Sequence, residues 1–340
     1  MVIGLLANDS VQADELDLTA TEAAPNEPFT LTAYWENDGG PLKQNNLTDR
    51  HYTNGLAVSL THQPDWAHNL APHMPFAEAF GEAQTGAGYI VGQSMFTPDD
   101  IEATAIIEDD RPYAAYLFTS VFWQRANDMT MDHLQFELGV VGPASQAGDL
   151  QVAIHELVDE DRPRGWKNQL GDEVTVQFHL RKKWRLDVLD HQLLRIPLQW
   201  QFIPQTGLAL GTVHRHVDGG AVLRVGGNLP DDFGPGRLAD VGAATGTPNE
   251  GWGMYGFVRA TGRLVDHNLF LEGNTFRDSE HTVNNERWGG EVQGGVSIQY
   301  HHGACHLEVI YSQTFVSEEF AGQDGSNAYG GLSIALSVWY

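Results

Sequence analysis

The sequence predicts an all-β chain, folded as an antiparallel transmembrane β-barrel of about 12 strands. Three observations carry that expectation. Short runs alternate apolar and polar residues with a period of two along most of the 340 residues. The polar face of these runs bears full charges in mid-strand, at Glu137, Arg181, Arg259 and Arg263, which suits a wet or networked interior. Aromatics lie near strand ends like interfacial girdles: Trp35, Phe96, Trp123, Trp184, Trp252 and Trp339. A soluble all-β fold gives the same alternation with its apolar face turned inward, and patterning alone leaves that alternative standing.

The elements follow in chain order. Residues 1–13 read as a residual signal peptide, with an apolar stretch Val2–Ala7 ahead of the small-residue site Val11-Gln12-Ala13. Residues 14–28 are acidic, Ala/Thr/Pro-rich and aperiodic, so they are expected to be disordered. The barrel then occupies 29–340. Phe29, Leu31, Ala33 and Trp35 face one way, and Thr30, Thr32, Tyr34 and Glu36 the other. Leu56, Val58 and Leu60 alternate with Ala57, Ser59 and Thr61. Leu134, Phe136, Leu138 and Val140 alternate with Gln135, Glu137 and Gly139; Val174, Val176, Phe178 and Leu180 do so with Thr175, Gln177 and His179. Further strand-like runs lie near 88–96, 113–125, 195–212, 217–227, 252–264, 288–301 and 304–317. The last strand aligns Leu332, Ile334, Leu336, Val338 and Tyr340 on one face, and an aromatic at the chain end resembles the assembly signal of bacterial outer-membrane proteins.

Composition narrows the function. Against 19 Lys+Arg stand 45 Asp+Glu, and a net charge of −26 repels phosphate backbones, so no nucleic-acid partner is expected. The single cysteine, Cys305, has no disulfide partner within the chain and cannot build a cysteine-based metal site. No apolar run reaches the roughly 18–20 residues that a membrane-spanning helix needs. A mean hydropathy of −0.30 looks soluble, yet a barrel averages lipid-facing and lumen-facing residues to a similar mean.

With both termini on the periplasmic side, the connections near 38–53, 97–112 and 142–172 face outside, and the turns near 126–129 and 302–304 are short inner ones. Within 142–172, Gln151–Glu160 is helix-friendly and is expected to form a short helix over the barrel mouth. That orientation gathers chemistry at the outer rim. Asn37-Asp38 closes strand 1, Thr53 opens strand 2 beside it, and His155 lies in the long loop with Glu156, Asp159, Glu160 and Asp161 behind it. A neutral imidazole, hydrogen-bonding side chains and carboxylates holding a hard cation are what ester hydrolysis needs. Taken singly, each residue reads more simply as loop or turn chemistry; only their joint placement points to catalysis. Ser145 is the competing candidate as a nucleophile, though its surroundings do not form a nucleophile elbow.

Five blocks in order carry a more specific signal: Glu36-Asn37-Asp38, Asp49–Leu56 (DRHYTNGL), Asp110–Ala114 (DRPYA), Leu138–Ser145 (LGVVGPAS) and Pro163–Leu170 (PRGWKNQL). Together they resemble the LpxR-type lipid A 3′-O-deacylases, outer-membrane enzymes of Gram-negative bacteria. The resemblance implies a 12-stranded barrel with its site at the outer rim, and Ca²⁺-dependent removal of the 3′-linked acyloxyacyl chain from lipid A. It puts the catalytic His on His155, the Asn-Asp pair on Asn37 and Asp38, the hydroxyl residue on Thr53, and the loop carboxylate on Asp161. Because this chain has Asp there rather than Glu, the metal-ligand role beside Asp38 stays open among Asp161, Glu160 and Glu156. Basic residues that some members carry after strand 3 are replaced here by Asp99, Asp100, Glu102, Glu108, Asp109 and Asp110.

The expected protein is a monomeric bacterial outer-membrane hydrolase, its site facing outside, its partners lipid A or lipopolysaccharide and the surrounding membrane lipids. A non-enzymatic porin or adhesin barrel, and a barrel phospholipase, are the competing functions. Cys305 has no expected role.

Overall fold

In the computed structural model, the described residues are 28–339 apart from 39–48, 76–79, 82, 194–195, 241, 243–245 and 247. The expected signal peptide, almost all of the acidic N-terminal segment and Tyr340 lie outside them. One antiparallel sheet closes on itself. Its strands are β1 (Pro28–Asn37), β2 (His51–His62), β3 (Gln84–Thr97), β4 (Ala114–Ala126), β5 (Thr130–Val141), β6 (Glu173–Trp184) and β7 (Leu186–Leu193). Then come β8 (Ile196–Gly211), β9 (His214–Gly227), β10 (Gly251–Asn268), β11 (Trp288–His302), β12 (Cys305–Val316) and β13 (Asn327–Trp339). β7 prolongs β6 past Arg185: Lys183 pairs with Gln205 and, in the same register, Leu186 pairs with Phe202. The two segments form one stave, so the ring has twelve, closed by β1 on β13 and β6 on β8.

The period of two resolves as the sequence predicts. Leu31, Trp35, Val58, Val91, Val176, Phe178, Ile334 and Leu336 are exposed on the outward face, the pattern expected of side chains that face lipid. Thr32, Tyr34, Glu36, Ser59 and Glu137 on the alternate face are buried inside. Two girdle expectations fail. Phe96 points inward and stacks on Phe270 at 4.3 Å, and Trp339 lies on the lumen side, stacked on His301 at 5.1 Å. Trp123 faces outward but is covered by α1 (Asp65–Leu70), donating to the Ala67 carbonyl at 2.8 Å.

The rim where β1 ends is called upper, and the opposite one lower. The lower turns at 127–129 and 303–304 are short, as expected, but the connection 228–250 is long, and its residues Arg237–Asp240 reach back into the barrel. There Arg237 pairs with Glu291 at 2.6 Å, Lys183 with Asp240 at 2.9 Å, and Leu238 N–H donates to Glu36 at 3.4 Å. Burial pushes the Asp240 carboxyl up, but Lys183, Arg181 and Arg259 outweigh it and hold it well below the usual range. At the upper rim, 269–287 covers the mouth, starting with α3 (Leu269–Glu272) and its buried Leu269, Phe270 and Leu271. Glu173 fastens this lid by accepting from the Thr275 and Phe276 N–H groups, both at 3.0 Å.

Helix α2 (Ala147–Val158) forms within 142–172, but it does not lie over the mouth. Met95 and Ala115, paired across β3 and β4, share the outward face with Val91 and Leu117 and pack with Ala147 and Trp166. The helix therefore sits on the outer wall. The lid 269–287 already fills the mouth, and Gln93, also outward, holds the turn before α2 by donating to the Ser145 carbonyl at 2.8 Å.

Candidate active site

Between α2 and the rims of β1–β3, four of the predicted residues, Asn37, Asp38, Thr53 and His155, join one network. Asn37 ends β1 on its outward face and donates to the Thr53 carbonyl at 3.2 Å. Pairing shifts between Tyr52 and Asn54, so Thr53 is the extra residue of a bulge. The bulge turns its side chain toward outward-facing Thr97, with the hydroxyl oxygens 2.8 Å apart. Asp38 is buried; its backbone N–H donates to the Thr53 carbonyl at 3.2 Å, and its Oδ2 accepts from Arg50 N–H at 2.7 Å. The Thr97 hydroxyl also donates to the Asp49 carbonyl at 3.2 Å, which carries the network from β1 to the segment facing α2.

His155 closes it from the helix side. Nδ1 lies 2.6 Å from the Asp161 carbonyl oxygen, which can only accept, so a hydrogen bond there is donated by the ring. Nε2 lies 2.7 Å from Asp49 Oδ2, also an acceptor, so the ring is gripped at both nitrogens by oxygens. Gln151, one helical turn earlier, donates to the same carboxylate oxygen at 2.7 Å and accepts from Trp166 Nε1 at 2.8 Å. A chain of hydrogen bonds thus runs from buried Trp166 through Gln151 and Asp49 to the imidazole. Sequence reading missed Asp49 and Gln151 as site residues. The i, i+4 spacing of Gln151 and His155 was visible, but nothing in it disclosed that Asp49 sits opposite.

The other expectations fare differently. Ser145 is buried and its hydroxyl donates to the Gly142 carbonyl at 2.7 Å, so it serves the turn before α2. Glu156 pairs with Arg162 at 3.5 Å on the surface. Glu160 and Asp161 are exposed, and only their main chains reach His155: Glu160 N–H donates to the His155 carbonyl at 3.0 Å. Among the described residues, no three His, Cys, Asp or Glu side chains converge as a metal cage. The donors at hand, carboxylates, hydroxyls and main-chain carbonyls, are the hard oxygens that Ca²⁺ takes, and Ca²⁺ accepts water and substrate oxygens to fill its shell.

The acidic 98–113 loop is built partly on its own carboxylates. Asp110 accepts from the N–H groups of Asp99 at 2.6 Å and Arg111 at 2.7 Å, and Asp100 caps Glu102 and Ala103. Asp99 lies 3.7 Å from Arg50 and 3.5 Å from His51 Nε2. Burial, then the neighbouring Asp110, push the Asp99 carboxyl above its usual range.

The family model for outer membrane protein LpxR matches residues 2–338. Among solved structures, LpxR from Salmonella typhimurium superposes with a TM-score of 0.71 at 18% identity, covering 92% of this chain and 100% of that one; this likeness concerns the fold. The translocator domain of the autotransporter NalP from Neisseria meningitidis follows at 0.44, with 10% identity, 94% and 89% coverage. The transport unit of AIDA-I from Escherichia coli stands at 0.40, with 14% identity, 96% and 93% coverage; both are too distant to argue from. No curated protein matches. A match over nearly the whole chain, on a barrel of the same fold, places this protein in the LpxR family of outer-membrane proteins, the lipid A 3′-O-deacylase family that its five motifs resemble.

Proposed function

We propose that this protein is a lipid A 3′-O-deacylase that hydrolyses the ester of the 3′-linked acyloxyacyl chain, with its site on the outer side of the outer membrane. The observation that carries the reading is where His155 stands. It is held between a carbonyl and a carboxylate on the outward wall of the rim, where a lipid ester arrives sideways from the bilayer. A site serving soluble substrates would have been better placed over the lumen, which the lid and the inner plug fill.

For His155 to act as the base, its Nε2 contact with Asp49 opens to admit the water whose proton it removes, and the imidazolium that forms is stabilised by the neighbouring Asp49 carboxylate. Gln151 keeps that carboxylate in place. Asn37 and Thr53, bound to each other and to Thr97, orient the attacked ester and the developing oxyanion by hydrogen bonds. The proton then passes from His155 to the leaving sugar oxygen. A bound Ca²⁺ would add Lewis-acid polarisation of the ester carbonyl, with Asp38 as a ligand and with Asp161 or Glu160 joining it once an exposed side chain turns inward. The protein works as a monomer in this reading.

Purified protein assayed for released fatty acid on lipid A and, separately, on glycerophospholipid tests the substrate. Release from lipid A alone supports the deacylase. Release from glycerophospholipid alone makes the protein a phospholipase, and release from neither returns it to the non-enzymatic barrels.

A further inference from the structure

Helix α2 carries more than His155. At 3.6 residues per turn, Ala147 and Gln151 form its buried face, and Gly148 and Val152 lie on the flank that packs beneath Trp166. Exposed Asp149 and Glu156 look away from the barrel. The remaining flank is apolar and uncovered: Leu150 is 36%, Ile154 41% and Leu157 84% exposed. The loop after α2 reaches the rim loop 98–113, with Arg164 N–H donating to the Ile101 carbonyl at 2.7 Å, and so lies above the helix. The uncovered flank faces the other way, down the wall, where Leu117 and Val91 begin the outward apolar belt.

We propose that α2 is an interfacial helix, its Leu150–Ile154–Leu157 flank immersed in the acyl chains of the leaflet that surrounds the barrel. The occupant follows from continuity. The flank prolongs the outward apolar belt of the barrel wall, and the helix divides into an apolar flank and a polar face as helices lying in a membrane interface do, although its polar face is acidic rather than basic. Seating α2 in the leaflet sets His155 at the depth of the lipid headgroups. The inference rests on the membrane placement of the family and goes beyond the proposed reaction.

The test uses the full chain with Cys305→Ser, since that thiol is exposed, and a nitroxide label at Leu157→Cys, Leu150→Cys or Glu156→Cys. Each is reconstituted in phosphatidylcholine vesicles without lipopolysaccharide, and collision with oxygen is compared with collision with a water-soluble nickel chelate. Labels at 157 and 150 are expected to favour oxygen several-fold, like one at Val91→Cys in the belt, with the label at 156 favouring nickel. Nickel-accessible labels at 157 and 150 would overturn the proposal. So would oxygen preference that arises only when lipopolysaccharide is added, which would make the occupant a substrate chain. Spin–spin broadening that disappears on dilution with unlabelled protein would make it a second copy, also against the proposal. None of these readings needs turnover, so a failed deacylase assay leaves them intact.

Discussion

At the scale of residues, hydrolysis turns on His155 and what holds it. Replacing His155 with Ala removes the group that takes the proton from water, and activity should fall by about 10²–10⁴-fold in a released-fatty-acid assay. The folded barrel, read by its heat-modifiable migration, should be unchanged, because the ring belongs to α2 on the outer wall and supports no strand. Asp49→Asn keeps the shape but removes the charge facing the imidazolium. It should lower kcat at least tenfold and leave KM nearly unchanged, since Asp49 acts on the base rather than on bound substrate. Excess chelator should abolish activity and added Ca²⁺ restore it. Activity that persists in chelator would confine Asp38 to its hydrogen bond with Arg50.

At the scale of elements, the bulge in β2 and the seat of α2 decide whether the site assembles. Gly148 has no room for a side chain: a Cβ there would come 2.8 Å from the Trp166 ring. Gly148→Leu should push α2 off the wall and lower activity about 10²-fold, the scale of an ångström-sized misplacement, with the barrel still heat-modifiable. Strands were legible in the sequence because lipid on one side and a packed lumen on the other impose period two on nearly every stave. The seat of α2 was not. The sequence shows a helix-friendly stretch, but only the pairing of Met95 with Ala115 shows that a small, apolar patch on the outer wall receives it. The outcome at Phe96 has the same origin: near a rim, an aromatic suits a girdle or a lid, and Phe270 decided for the lid. Of the site, Asn37, Asp38, Thr53 and His155 could be named in advance through their motifs. Asp49 could not, since its partner lies 106 positions away in the chain and no period links them.

At the scale of the whole molecule, the net charge of −26 includes the six carboxylates of the rim loop 98–113, while lumen acids such as Glu291 and Asp240 are paired with Arg and Lys. The plug at 228–250 joins barrel and connection through such pairs, so purified protein in planar bilayers should show no steady conductance. Removing one partner of a buried pair costs about 3–5 kcal/mol, and Asp240→Asn should lose about that in urea unfolding while deacylation persists. The pH dependence has a definite sign. Asp240 titrates lower in the folded state than its unfolded value of about 3.9, so its contribution is complete above that pH and lost as pH falls below it. Conductance should therefore stay closed from pH 8 down to pH 5. Steady current there would favour a porin.

The most direct test of the central claim is the mass spectrum of lipid A from Gram-negative cells that display the protein in their outer membrane. Loss of one 3′-acyloxyacyl unit is expected with the wild type, and an unmodified spectrum with His155→Ala at equal surface level. An unmodified spectrum with the wild type, or the same loss with His155→Ala, would contradict that claim.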